Sequence, residues 1–281
     1  MGTATLERTT ARLRAAGCVF AEEEAAELHR AALDAAQLEE MTRRRVAGEF
    51  LEHVVGTVDV LGERLAVAPG VFVPRRRTAL LIAETLLAVR DLPAPRVLEL
   101  CAGAAPVAAL VARRHPGAQV HAADVDPAAL VVARTNLPPT ARLHCGDGWA
   151  ALPAGARFDV VAAVPPYVPR AGLALLTREA REHEPAAALA GGEDGLDVVR
   201  ALLAGAGDHL APGGALLLEV HRDQCVAAAR AARGTGWLGT VDRVLGDDGG
   251  TAVLRLRARR ARRPRGEDGW RVRDDDRPHP S

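Results

Sequence analysis

The sequence feature that most constrains the fold is an alternation of short apolar runs with longer helical patterns after Pro74. The apolar runs have the length of buried strands, and the segments between them repeat apolar residues with the period of a helix. This alternation is typical of a doubly wound parallel sheet, because parallel strands need a crossover connection between them. The predicted strands are 96–100, 119–123, 141–145, 158–163, 214–220 and 249–257, and the predicted helices are 78–89, 107–114, 128–136 and 194–209. The sequence therefore predicts an α/β domain over residues 74–258.

Residues 1–50 have the pattern of a small helical domain in front of this sheet. Apolar residues repeat at helical spacing before Gly17 and again from Ala25 to Ala36. The run Arg43–Arg45 ends the block. We interpret it as a solvated helix end, with a docking patch for an acidic or RNA partner as the alternative.

Two further segments flank the predicted sheet. Residues 54–73 alternate apolar and polar side chains around Gly62, which predicts a β-hairpin within a linker over 51–73. Residues 259–281 are dense in Arg, Asp, Pro and Gly and carry almost no apolar side chains. Such a composition cannot bury enough surface to order itself, so we predict a disordered tail.

Composition and charge exclude several classes of protein. The 36 basic and 36 acidic residues give a net charge of zero, which argues against nucleic acid as a direct partner. The four cysteines form no CxxC pair, so neither a zinc site nor a redox motif is predicted. No apolar run reaches the roughly 18 residues of a membrane span. We expect a cytoplasmic protein with reduced thiols and without metal, and nothing in the sequence demands more than a monomer.

Three loops follow successive predicted strands in the order of a nucleotide-binding half-sheet. The strand at 97–100 enters a turn of small residues, the next strand ends at Asp124, and Gly146–Trp149 follows the third. A small-residue turn lets a ligand approach the backbone, and an acid at the second strand end suits ribose hydroxyls. The turn has one glycine, too few for a pyrophosphate, which favours S-adenosyl-L-methionine. Cofactor contacts are predicted at Glu99, Cys101, Ala102, Gly103, Ala104, Ala105, Asp124, Val125, Asp147, Gly148, Trp149 and Val164.

A rigid turn follows the strand at 158–163. Its residues are Val164, Pro165, Pro166 and Tyr167, and Tyr167 is the single tyrosine of the chain. Two prolines remove backbone donors and leave carbonyls at the strand end, where open α/β sheets bind ligands. A planar amide or amine fits between these carbonyls and the tyrosine ring. We therefore predict that these four residues bind the substrate and form the catalytic site, whereas His183 is interpreted as a structural histidine.

With these motifs the chain resembles the HemK/PrmC family, whose members methylate the N5 nitrogen of glutamine in peptide-chain release factors. The similarity spans roughly residues 48–225. It implies a Rossmann-like, class I S-adenosyl-L-methionine-dependent methyltransferase domain, preceded by a helical domain that docks a protein substrate. The matching segments are Gly48–Gly56, Pro69–Arg75, Val97–Ala105, Val164–Tyr167, His183–Pro185 and Gly191–Asp197.

The chain also departs from the family pattern. Val164 stands where the family's NPPY motif has asparagine, whose amide is expected to hydrogen-bond the substrate amide. Ala105 and Pro106 replace the usual end of the glycine-rich first motif. Two alternatives therefore stay open. One is a methyltransferase with another acceptor, such as a nucleic-acid amine or a small molecule, and the other is a non-catalytic binding protein that retains the fold.

Overall fold

The computed structural model describes residues 3–260, and its first part is a helical block. The block contains helices α1 (Thr3–Ala15), α2 (Ala21–Ala31) and α3 (Ala35–Val46). They pack around an apolar cluster of their own that includes Leu13 and Leu28. The helical prediction is correct for this block, but the continuous pattern from Ala25 to Ala36 is divided. Asp34 begins a new helix because its side chain accepts a hydrogen bond from the Gln37 amide at 2.8 Å.

A short helix and a hairpin follow. Helix α4 (Leu51–Val55) ends at Gly56, whose φ is 78°. Strands β1 (Thr57–Val60) and β2 (Glu63–Ala66) then pair antiparallel. The prediction that Val54 and Val55 belong to the hairpin is wrong, because Val54 packs into the core of the helical block as part of α4. The hairpin itself is confirmed over a shorter range than 54–73.

The remaining elements form one seven-stranded sheet with helices on both faces. A 3₁₀ turn (Arg76–Thr78) leads into the first of these helices. The helices are α5 (Ala79–Val89), α6 (Pro106–Arg114), α7 (Pro127–Asn136), α8 (Arg178–His183), α9 (Ala186–Leu189), α10 (Asp197–His209) and α11 (Cys225–Arg233). The strands are β3 (Arg96–Leu100), β4 (Gln119–Asp124), β5 (Arg142–Cys145), β6 (Phe158–Ala163), β7 (Leu210–His221), β8 (Leu238–Leu245) and β9 (Thr251–Ala258).

The strand order is β5-β4-β3-β6-β7-β9-β8, and only β9 runs antiparallel to its two neighbours. The chain builds outward from β3 through β4 to β5 and then crosses back to β6 on the other side of β3. This reversal is a topological switch point, where the loops after β3 and β6 diverge and leave a crevice. The predicted doubly wound α/β fold is confirmed, and the crevice lies between the two loops that carry the sequence motifs.

Some elements of this sheet were not predicted. The pattern misses α11 and β8, and β7 begins at Leu210, earlier than the predicted 214. Strand β8 lies at the sheet edge with most of its side chains exposed, so it carries no run of apolar residues. The predicted tail over 259–281 lies, apart from its first two residues, outside the described part of the chain. Within residues 3–260, no helix is long and apolar enough to cross a membrane.

Candidate active site

A cavity of about 560 Å³ opens at the carboxyl ends of β3, β4 and β6. Its size is typical of sites that enclose a small-molecule ligand, which range from about 300 to 1,000 Å³. Residues within segments 71–78 and 176–189 also line it. Two walls face it from the sheet. The β3–β4 wall comprises Glu99, Cys101, Ala102, Gly103, Ala104, Asp124, Val125, Asp147 and Gly148, and the β6 wall comprises Val164, Pro165, Pro166 and Tyr167.

The turn after β3 has a strained backbone. Cys101, Gly103 and Ala105 have φ angles of 51°, 54° and 57°. This left-handed region suits glycine but costs other residues about 1–2 kcal/mol each. The strain persists because α6 starts directly after the turn, with Pro106 at its first position. The turn therefore keeps the shape of a glycine-rich loop although only one of the three positions is glycine.

Asp124 links the end of β4 to this turn. Its Oδ2 accepts a hydrogen bond from the Gly103 amide at 2.8 Å, and its Oδ1 accepts one from the Asp126 amide at 2.9 Å. A carboxylate has about four lone-pair sites, so each oxygen keeps capacity for one further donor. Asp124 thus shapes the turn and still offers two acceptors toward the cavity.

Glu99 lies at the base of the same wall and is only 2% exposed. Its carboxylate accepts hydrogen bonds from the amides of Ala108 at 2.7 Å and Val107 at 3.3 Å, in the first turn of α6. These orphan amides and the helix dipole favour an acid at this position. Burial nevertheless raises the pKa of Glu99 to about 8, because desolvation outweighs the two hydrogen bonds.

The structure brings together most of the predicted cofactor residues but not all of them. Ala105 is fully buried behind the turn and does not line the cavity. Trp149 also points away from it. The indole stacks on His209 with ring centroids 4.9 Å apart and donates to the carbonyl of Leu202 at 3.0 Å. The predicted adenine contact of Trp149 is therefore corrected, because the residue does not line the cavity and packing against α10 takes one face of the indole and its N–H.

Tyr167 is fixed at both ends on the β6 wall. Its hydroxyl accepts a hydrogen bond from Arg77 Nε at 3.0 Å, and its carbonyl accepts one from Gln224 Nε2 at 2.9 Å. Gln224 also donates to the carbonyls of Asp194 and Gly195, which holds the loop before α10 against the Pro-Pro turn. Sequence reasoning missed Gln224 because its role depends on a contact across 57 residues of chain.

An ion pair joins two of the family segments at the rim of the cavity. Arg75 pairs with the fully buried carboxylate of Glu184 at 2.5 Å and lies over the rings of Phe50 and Phe72 at 4.9 and 4.8 Å. Glu184 also accepts from the Val73 amide at 3.1 Å. The neighbouring His183 does not line the cavity, which agrees with its interpretation as a structural residue.

The helical block reaches the cavity through Arg45. The side chain is only 10% exposed, and it donates to Glu24 at 2.7 Å and to the cavity-lining Glu179 at 2.5 Å. Burial alone would lower the pKa of Arg45, but its hydrogen bonds to the two carboxylates raise it. Both sequence interpretations of Arg43–Arg45 are therefore corrected for this residue, since it is neither solvated nor free for a partner.

The comparisons with known proteins agree with this architecture. The model of a family described as a methyltransferase domain matches residues 97–183. The release factor glutamine methyltransferase of Gloeobacter violaceus is 40% identical over 207 residues, covering 72% of this chain and 70% of that protein. The chain belongs to the HemK/PrmC family. It is therefore an S-adenosyl-L-methionine-dependent methyltransferase, which confirms the predicted enzyme class and cofactor.

Relatives of this HemK/PrmC protein include one that is named for a different kind of acceptor. The 4-amino-L-phenylalanine/4-methylamino-L-phenylalanine methyltransferase of Streptomyces pristinaespiralis is 38% identical over 221 residues, covering 76% of the chain and 75% of that protein. Similarity at this level therefore includes relatives named for a release factor and one named for a small amine.

A solved structure supports the fold. The 16S rRNA N2 G1207 methyltransferase of T. thermophilus, in complex with AdoMet and guanosine, matches 72% of this chain and 50% of its own with a TM-score of 0.51. At 22% identity this likeness shows the methyltransferase fold alone.

Proposed function

We propose that this protein methylates the side-chain amide nitrogen of a glutamine in a protein such as a peptide-chain release factor. The supporting observation is that the turn after β3 and the Val164–Tyr167 turn line one cavity at the point where the strand order reverses. Open α/β sheets bind their ligands at this point. The relative named release factor glutamine methyltransferase supports the acceptor class.

The β3–β4 wall fits S-adenosyl-L-methionine, which supplies an electrophilic methyl group on a sulfonium when bound. In this proposal the remaining lone pairs of Asp124 accept the two ribose hydroxyls. Gly103 and its small neighbours let the ligand approach the backbone closely. Ala105 and Trp149 are not retained as contacts. The other proposed contacts are Glu99, Cys101, Ala102, Ala104, Val125, Asp147, Gly148 and Val164.

The β6 wall then holds the methyl acceptor. The carbonyls of Val164 and Pro165 accept the N–H groups of a planar amide, and Tyr167 offers its ring as a packing surface. Acceptors placed there favour a pyramidal nitrogen as its lone pair bonds to the methyl carbon. Bound S-adenosyl-L-methionine would supply the methyl group, and the amide nitrogen would exchange one N–H proton for it, with the Val164 and Pro165 carbonyls orienting that N–H and the proton leaving to solvent. Positioning of the two reactants is the main contribution of the protein.

A second candidate acceptor is an aromatic amine. The side chain of Val164 offers no hydrogen-bonding group, and the described residues that line the cavity include no asparagine or glutamine. An amide acceptor would leave its carbonyl without a side-chain amide partner, whereas an arylamine has no such carbonyl. The relative from Streptomyces pristinaespiralis, which is named for 4-amino-L-phenylalanine, is consistent with this second acceptor.

Replacement of Val164 by asparagine separates the two acceptors. We expect Val164→Asn to raise kcat/KM for a release factor by about tenfold, since a restored hydrogen bond in a dry site contributes about 1–3 kcal/mol. The measurement is transfer of a labelled methyl group to release factor and to 4-amino-L-phenylalanine. Val131→Asn is the matched control, because Val131 is 71% exposed on α7 and does not line the cavity.

The two proposals predict opposite outcomes for this assay. A rise with release factor supports glutamine methylation. Labelling of the free amine by the wild-type protein, combined with no labelling of release factor by wild type or Val164→Asn, would replace it with the arylamine proposal. Titration of both proteins with S-adenosyl-L-methionine shows whether cofactor binding is unchanged, so that a difference can be assigned to the acceptor.

A further inference from the structure

Glu219 is a buried acid that the proposed reaction does not use. It lies in β7 among the apolar residues of segment 215–220 and is only 1% exposed. It is not among the described residues that line the cavity. A carboxylate in such a strand is unfavourable compared with an apolar side chain of similar volume, unless its neighbours compensate for the lost water.

The neighbours of Glu219 lie on the cavity side. Tyr167 Oη lies 3.4 Å from Glu219 Oε1 and donates a hydrogen bond to it. Arg77 Nε lies 3.0 Å from the same hydroxyl and 3.5 Å from Glu219 Oε1. The guanidinium of Arg77 also lies 6.0 Å from the centroid of the Tyr167 ring. Two side chains, Glu219 from β7 and Arg77 from the turn before α5, therefore converge on the phenol of Tyr167.

This arrangement restricts the orientation of the tyrosine ring. The hydroxyl accepts a hydrogen bond from Arg77 and donates one to Glu219, so both of its hydrogen-bonding roles are used. The carbonyl of the same residue is held by Gln224 at 2.9 Å. The hydroxyl and the backbone of Tyr167 are thus both held in a residue that lines the cavity.

We propose that Glu219 is a positioning residue for methyl transfer, which acts through the hydroxyl of Tyr167 and together with Arg77 holds the ring against the acceptor. The proposal rests on the proposed function in one respect only, namely that Tyr167 contacts the acceptor. The opposing explanation is a purely structural role, in which Glu219 stabilises β7 without influence on the tyrosine.

A double-mutant cycle distinguishes the two explanations. Glu219→Met removes the acceptor for the phenol, and we expect it to lower kcat/KM for the methyl acceptor about fivefold with unchanged affinity for S-adenosyl-L-methionine. Glu219→Gln keeps an acceptor oxygen and should retain most of the activity. In a Tyr167→Phe background, the hydrogen bond between the two residues is already lost. There, Glu219→Met should lower kcat/KM by less than about twofold. An equal loss in both backgrounds overturns the proposal.

A spectroscopic measurement tests the contact without any methyl acceptor. The chain has one tyrosine, so replacement with 3-fluorotyrosine gives a single ¹⁹F signal at position 167. Burial and the charge of Glu219 raise the pKa of Tyr167, while Arg77 lowers it. Glu219→Gln removes a negative charge beside the phenol and should lower its titration midpoint by at least about half a pH unit.

The matched control is Glu84→Gln. Glu84 lies on α5, away from the tyrosine, and pairs with Arg255 at 3.3 Å. The side chain of Glu84 is 13% exposed. The proposal is overturned if Glu219→Gln leaves the midpoint where it is, or if Glu84→Gln moves it equally. A lowered midpoint together with no methylation of release factor would overturn the proposed acceptor and leave the contact between Glu219 and Tyr167 established.

Discussion

Single residues of this protein keep the shape of a family motif after its sequence has changed. Ala105 has a φ of 57° directly before α6, a backbone conformation in which a β-carbon is strained. We predict that Ala105→Gly raises the free energy of unfolding by about 1 kcal/mol, because the relieved strain exceeds the added entropy of the unfolded chain. Urea denaturation measures the change.

The neighbouring alanine provides the control for this prediction. Ala104 is buried in the same turn but is not among the residues with positive φ. Ala104→Gly should therefore lower the free energy of unfolding, since it adds unfolded-state entropy and removes a buried methyl group without relieving backbone strain. Stabilisation by both substitutions, or by neither, would show that the backbone strain at 105 is not what limits stability.

At the same scale, the sequence predicts residues next to strands better than residues placed by distant contacts. The positions of Asp124 and Val164–Tyr167 follow from the strand ends that precede them, and all of these residues line the cavity. The predicted cofactor contact of Trp149 was wrong because α10, which begins 48 residues later, offers the indole a stacking partner in His209 and a carbonyl acceptor in Leu202. Gln224 was missed for the same reason, since no local pattern records which loop its amide reaches.

Between elements, the helical block is attached to the methyltransferase sheet by a buried charge cluster. Arg45 of α3 joins Glu24 of α2 to Glu179 of α8, and its side chain is 10% exposed. Arg45→Met should lower the free energy of unfolding by about 3 kcal/mol, because it leaves two partly buried carboxylates without their cation. Differential scanning calorimetry should show a lower midpoint for the variant.

Arg43, two residues before Arg45 on the same helix, is the control. Arg43 pairs with Glu40 at 2.5 Å, but 64% of its side chain is exposed. Exposed pairs are screened by water, so Arg43→Met should leave the midpoint unchanged. Equal effects of the two substitutions would contradict a special role of the buried cluster.

The sequence predicted the helices of this block because the spacing of apolar residues is a local pattern. It missed the charge cluster because Glu179 lies 134 residues from Arg45.

For the whole molecule, buried acids determine how stability changes with pH. Burial raises the pKa of Glu99 to about 8, and it also raises the pKa values of Glu184 and Glu219. As the pH rises, these glutamates therefore lose their protons in the unfolded chain before they do so in the folded one. The folded state loses stability as the pH rises above the ordinary pKa of a glutamate. Burial of His121 has the opposite effect at low pH, because it lowers that pKa to about 4.

These shifts predict a stability maximum at mildly acidic pH. Between the unfolded pKa of His121 and its folded value, the unfolded state binds more protons, so stability falls as the pH decreases through that window. On the alkaline side, Glu99 alone should cost about 2 kcal/mol between pH 6 and pH 8. Urea denaturation at both pH values should therefore give a smaller free energy of unfolding at pH 8. Glu99→Gln should remove most of this difference in the free energy of unfolding between pH 6 and pH 8, whereas the control Glu84→Gln should leave it in place. An unchanged difference in Glu99→Gln would assign the loss of stability at alkaline pH to other groups.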